Sequence, residues 1–302
     1  MLSRLKISAR DLLRSALAPS QLDVLWRLDE IRTTQTRWPT DDPLLAHLWS
    51  ATGRYSDPRS LSRFEARVYS QNGEDGILAK ILRRVGTSKG YFIEIGAGDG
   101  RENITRLLLE AGWEGVWVEG GGENVGVARS VFRDFLETGS LKIIHSFVDI
   151  SNVNHLLDEA GVPAHVDVLS VDTDMNTSHL WRAISRSSSV ACIEYNATLP
   201  ASASLEALYM PDGQWDSASS YYGASLRALC EIAQDKKSSL VGCDPTGVNA
   251  FFVANDELGD HFLAPHTAEA HYEPPRLRRV GSRDGYPGRQ DAQRWKSGSD
   301  PG

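Results

Sequence analysis

From residue 91 onward the chain alternates two hydrophobic rhythms. Short runs rich in β-branched and aromatic residues (91–95, 115–119, 141–149, 167–172 and 190–196) read as strands. The stretches between them (103–111, 123–137, 152–160 and 177–186) fit helices, so the pattern predicts βαβ units around a buried parallel sheet. A helix over 222–235 then precedes two further apolar runs, 239–244 and 248–255, joined only by Pro245-Thr246-Gly247. That connection is too short for a parallel crossover and predicts an antiparallel hairpin.

The flanks behave differently. Leu2, Leu5, Leu12, Leu13 and Leu17 can share one face of a helix that also carries Arg4, Lys6, Arg10 and Arg14. Such a helix packs on its own domain or lies against a membrane surface or partner. A second apolar, helix-compatible segment covers 22–31, and the pattern is irregular to about residue 62. Beyond 265 the chain turns polar and rich in Pro, Gly, Ser and Arg, which predicts a disordered tail. The expected organisation is a helical extension over 1–65, one α/β domain over 66–264 and a tail over 265–302. Trp113, Trp117 and Trp181 are expected in the core.

Composition narrows the classes. With 302 residues, 41% hydrophobic and 24% charged, the chain can bury an ordinary core. A net charge of −8 argues against a general nucleic-acid binder, which needs basic surface. Three cysteines (Cys192, Cys230, Cys243) make no disulfide framework, and no apolar run reaches the ~18 residues of a spanning helix. A cytoplasmic location is the expectation, and the sequons at Asn103, Asn176 and Asn196 are read as accidental.

The most informative stretch is Tyr91-Phe92-Ile93-Glu94-Ile95-Gly96-Ala97-Gly98-Asp99-Gly100. A buried strand meets three glycines at alternate positions, which permit a tight turn and close approach of a bound nucleoside. The spacing is not the G-x-G-x-x-G of dinucleotide sites. Glu94, Asp99 and Glu102 crowd the turn with negative charge, which suits a cationic ammonium or sulfonium better than a diphosphate. Glu119 ends the second predicted strand, where a carboxylate can accept both ribose hydroxyls. Asp149 ends the third, where it can meet a purine edge.

These features resemble class I S-adenosylmethionine (SAM)-dependent methyltransferases, and more narrowly the FkbM-like family. The similar stretches are YSQNGEDGIL (69–78), FIEIGAGDGREN (92–103), GVWVEG (115–120), DVLSVDTDMN (167–176), CIEYN (192–196), YYGASLRAL (221–229) and LVGCDPTGVNAFFV (240–253). The resemblance implies a Rossmann-like, seven-stranded, mostly parallel sheet with an antiparallel last strand and helices on both faces. It also implies SAM as donor, O-methylation of a sugar or natural-product hydroxyl, and cofactor roles for Gly96, Gly98, Gly100 and Glu119. The fourth-strand motif departs from the family's D-x-D-G-N-D: it reads Asp172-Thr173-Asp174-Met175-Asn176-Thr177. A Met175 in the pocket floor would reshape or block the acceptor site.

Methyl transfer to a hydroxyl needs a positioned acceptor and a group that removes its proton. Asp172, Asp174 and Asn176, leaving the fourth strand, and Glu194 and Asn196, ending the fifth, can converge for that work. The carboxylates of Asp172, Asp174 and Glu194 also suit Mg2+ or Ca2+, so a metal and a metal-free site both stay open. His179 is a further base candidate. Asn72 and Glu74 either reach the donor's amino-acid end or cap a helix, and Asn249 and Tyr222 are acceptor-pocket candidates. The leading expectation is an O-methyltransferase acting on a glycan or small polar metabolite. The alternatives are a catalytically impaired scaffold and an NAD-dependent oxidoreductase.

Overall fold

A computed structural model describes residues 53–211, 213, 215, 219–275 and 295–297. The leucine-rich segments over 1–31 lie outside the described residues, as does most of the expected tail.

Seven strands form one mixed sheet: β1 (Tyr91–Ile95), β2 (Glu114–Glu119), β3 (Leu141–His145), β4 (His165–Val171), β5 (Ser187–Glu194), β7 (Ser238–Cys243) and β8 (Asn249–Ala254). Their order is β3-β2-β1-β4-β5-β8-β7. The first five pair in parallel, and β8 runs antiparallel between β5 and β7, as the short Pro-Thr-Gly connection predicted. This is the Rossmann-like fold of class I methyltransferases. It differs from a dinucleotide-binding sheet, whose sixth strand follows in parallel.

Helices cover both faces: α1 (Glu74–Val85), α2 (Arg106–Glu110), α3 (Gly122–Val131), α4 (Arg133–Thr138), α5 (Val153–Glu159), α6 (Thr177–Ala183), α7 (Leu226–Asp235) and α8 (Ala268–His271). Alternate strand residues feed two cores. Ile93, Ile95, Leu169, Val171 and Phe252 meet Leu157, Trp181 and Leu229 on one face. Phe92, Val168, Val190 and Phe251 meet Ile77, Leu82 and Leu108 on the other, with Trp113 and Trp117. Burial on both faces is why these strands read as continuous apolar runs.

Several boundaries move. The expected helix over 123–137 breaks at Phe132, whose buried ring sits edge-on to Trp117 at 4.8 Å. The third strand stops at His145, where the Ser146 amide donates to the Glu119 carbonyl and the chain turns away. Residues 265–275, expected in the tail, pack on the domain. The buried Tyr195 hydroxyl needs a partner and donates to the Glu273 carbonyl at 2.7 Å, while Glu273 pairs with Arg54 at 2.8 Å. Leu61 is also buried in the core, so both expected domain boundaries cut through packed structure. A short strand β6 (Leu205–Ala207), absent from the sequence reading, pairs antiparallel with β9 (Trp295–Ser297) inside the expected tail. Among the described residues no helix is long and apolar enough to cross a membrane.

Candidate active site

The glycine turn after β1 is fixed by sterics. Gly96 has φ +84°, and a Cβ there would lie 1.7 Å from the Asp172 carbonyl oxygen, so no other residue fits. The Gly98 amide donates to Glu119 Oε2 at 2.8 Å, and the Gly121 amide donates to Oε1 at 2.7 Å. Two backbone amides thus orient the Glu119 carboxylate, and a carboxylate has about four acceptor positions, leaving some for a ligand. Gly100 serves packing instead: its Cβ would meet the Trp117 ring at 2.6 Å.

Beyond the carboxyl ends of β1, β2 and β4 lies a cavity of about 590 Å³. Its near wall includes Gly96, Gly98, Glu119 and Gly121; Asp172, Thr173 and Asp174 line another side. Pockets for small ligands span roughly 300–1,000 Å³, so a nucleoside-sized molecule with part of an acceptor fits this volume. Phe147 also lines it. Its ring lies against Gly120, where a Cβ would come within 2.6 Å, and the side chain is 71% exposed.

Pro211, Gly213 and Trp215, from the strap that follows β6, also line the cavity. The Asn176 amide group donates to the Met210 carbonyl at 2.6 Å and accepts from the Met210 amide at 3.2 Å. The Leu208 amide donates to the Tyr221 hydroxyl at 2.8 Å, and the Ile150 amide donates to the Tyr209 hydroxyl at 3.4 Å.

Asp172, Asp174 and Glu194 converge as the sequence predicted. Val171 and Ile193 are register partners on β4 and β5, which sets Asp172 beside Glu194, and the three residues bring carboxylate oxygens within 4.8 Å of one another. Burial pushes Asp172 up to about 6, and burial together with the facing Asp172 pushes Glu194 well above the usual carboxylate range. Asp174, raised by burial, takes a left-handed backbone (φ +53°). The Thr177 hydroxyl donates to Glu194 Oε2 at 3.4 Å, adding a donor where another acid would add repulsion. Met175 is not in the pocket floor. It packs in a separate cluster with Leu199, Ala207, Tyr221 and Tyr222.

Other candidates are spent elsewhere. Glu94 is buried away from the cavity and accepts from Asn103 Nδ2, the Ile104 amide, and both the amide and hydroxyl of Thr105. Desolvation still lifts it to about 7. Asp149 caps the turn before α5, accepting from the amides of Ser151 and Asn152; these bonds and the Ser151 hydroxyl lower its pKa. Asn72 bonds Glu74, which also accepts from Asn249 Nδ2 at 2.8 Å. Asn196 donates to the carbonyls of Ser220 and Tyr222, holding the chain ahead of α7. His179 meets the Ala207 carbonyl at 2.8 Å. The Tyr222 ring packs tilted against Trp215, with centroids 4.9 Å apart. Sequence reasoning missed Phe147, Thr173 and Trp215; an aromatic just after a strand end was the available signal for Phe147.

No protein-family model and no curated protein matches the chain. Solved structures similar to it include the N-terminal domain of EvdMO1 with S-adenosylhomocysteine (SAH) bound, at 13% identity and TM-score 0.39, over 62% of this chain and 81% of that one. A SAM-dependent methyltransferase from Clostridium acetobutylicum is similar at 12% identity and TM-score 0.37, over 70% of this chain and 98% of that one. The METTL16 methyltransferase domain is similar at 10% identity and TM-score 0.40, over 82% of this chain and 96% of that one.

Proposed function

We propose that this protein is a SAM-dependent methyltransferase of the FkbM-like kind that methylates a hydroxyl. The observation that carries the reading is the oriented Glu119 carboxylate facing a glycine-walled cavity, with a separate cluster of acids on another side. A Cβ at Gly98 would meet nothing within 4 Å, so the turn leaves open space at the cavity for a ligand close to its backbone. Glu119 would accept from the ribose hydroxyls, and Phe147 would offer its ring to the adenine. When bound, SAM supplies an electrophilic methyl group on its sulfonium.

Asp172 is the residue we assign to the acceptor's proton. It lines the cavity, and a pKa near neutrality suits a general base. Burial and the facing Asp172 favour the protonated form of Glu194, which relieves the repulsion between the pair. Asp174 stands at the same opening. A divalent ion on the same three acids is the second reading, motivated by their convergence within 4.8 Å. Titrating the SAH complex with Mg2+ distinguishes them: saturable heat lost in Asp174→Asn supports the ion, and no heat supports the proton.

The donor reading is tested by calorimetry. The wild type should bind SAH in preference to NADH. Glu119→Ala should weaken SAH binding by at least tenfold, since hydrogen bonds to a charged acceptor contribute roughly 1.5–3 kcal/mol each. Unchanged affinity in a folded variant would refute the ribose role.

A further inference from the structure

Among the described residues six large apolar side chains are exposed: Val68, Val131, Phe147, Ile150, Leu208 and Met210. Four of the six belong to only two loops, and those loops meet at the cavity. One is the turn after β3, carrying Phe147 and Ile150; the other is the strap, carrying Leu208 and Met210. The Ile150 amide and the Tyr209 hydroxyl join them.

Exposure alternates along residues 208–210 of the strap. Tyr209 turns toward Ile150 and the His179 ring, 5.4 Å away, while Leu208 and Met210 on either side stay 51% and 47% exposed. Their backbones are fixed: Leu208 by the Tyr221 hydroxyl, Met210 by both ends of the Asn176 amide group. The strap therefore cannot fold its apolar side chains inward without breaking these bonds. Clustered apolar surface held open in this way marks a binding face. It is continuous with the cavity, because Phe147 on one loop and Pro211 on the other both line it.

We propose that Ile150, Leu208 and Met210 form an apolar rim that seats the body of the methyl acceptor. The acceptor class is then an amphiphile: a hydroxyl-bearing polar end directed at Asp172 and Asp174, joined to an apolar body resting on the rim. This rests on the donor reading above and narrows its acceptor from a free polar metabolite to a molecule with a substantial hydrocarbon part.

The test uses the full chain saturated with SAH and two probes that share a head group, methyl β-D-glucoside and monomeric n-octyl β-D-glucoside. Calorimetric titration should give the octyl probe at least tenfold tighter, saturable binding. Leu208→Ser/Met210→Ser should abolish that preference while SAH affinity and melting temperature stay unchanged. Equal affinity for the two probes, or a preference that survives in the double variant, overturns the rim. So does a wild-type dimer that the double variant converts to a monomer, since the patch then belongs to a second copy. Failure of the wild type to bind SAH sinks the donor reading instead, and is read independently of the probes.

Discussion

Replacing Asp172 by Asn tests the assignment of the acid pair, because it removes one charge with little change in shape. Burial lifts Asp172 from 3.8 to about 6, so its ionised form is disfavoured in the fold by roughly 3 kcal/mol at 1.36 kcal/mol per pKa unit. A folded-state pKa above the unfolded value contributes stability that is complete below pH 3.8 and lost as pH rises through about 6. Near pH 7.5 the wild type therefore carries most of that cost, and the amide does not. The shift is already net of the bond from the Asp174 backbone, so the expected gain is up to about 3 kcal/mol, or several degrees in melting temperature for a domain of this size. Calorimetric melting should show Asp172→Asn more stable at pH 7.5 and equal to wild type or slightly less stable at pH 4. SAH affinity should stay within about threefold, and turnover on an accepted substrate should fall by about 10²-fold or more, the scale of general-base catalysis. Lower stability at pH 7.5, or a gain that persists unchanged at pH 4, would refute the buried-charge reasoning.

Glu94→Gln should destabilise the protein by roughly 2–4 kcal/mol, since an amide cannot accept all four donors from residues 103–105, while leaving SAH affinity intact; a binding defect with normal melting would return Glu94 to the cofactor site. A chain ending at Pro265 should melt several degrees lower or fail to fold, because it loses Glu273 from both Arg54 and Tyr195; an unchanged melting temperature would show that 266–275 is dispensable. His271, pushed down to about 4 by burial and the neighbouring His266, should contribute stability above pH 6.5 that is lost as pH falls through 4, roughly 3 kcal/mol in all, so His271→Gln should flatten the acid limb of a stability–pH curve. An unaltered limb would place the acid sensitivity elsewhere.

The sheet was legible because each of its strands is apolar on both faces and bounded by turn residues, and because a three-residue connection admits only a hairpin. Gly96 was legible for a similar reason: a tight turn against the next strand leaves one residue type. The carboxylates were harder, since sequence shows that an acid ends a strand but not which side it faces or who claims its lone pairs. Glu94 alternates with Ile93 and Ile95, so it points to the face of Phe92 and meets the donors at 103–105. Asp149 lost its expected place because β3 ends four residues earlier, after a last ladder bond from the Ser146 amide to the Glu119 carbonyl.

Counting those lone pairs separates structural acids from candidate chemical ones better than motif position does. Glu94 and Glu119 occupy comparable places near the ends of neighbouring strands. Glu94 accepts from four donors, three of them on Oε2, and is not among the residues that line the cavity. Glu119 meets the Gly98 and Gly121 amides, with Asn124 Nδ2 more distant at 3.3 Å, and stays at the cavity wall with acceptor capacity to spare. Asp172 sits at the other extreme: the Asp174 amide and a second carboxyl are its partners, so its charge is poorly compensated by the fold. A buried acid that the fold does not satisfy is stabilised by taking a proton or by meeting one on a ligand. That need is why the chemistry is assigned to Asp172 and not to the better-bonded acids around it.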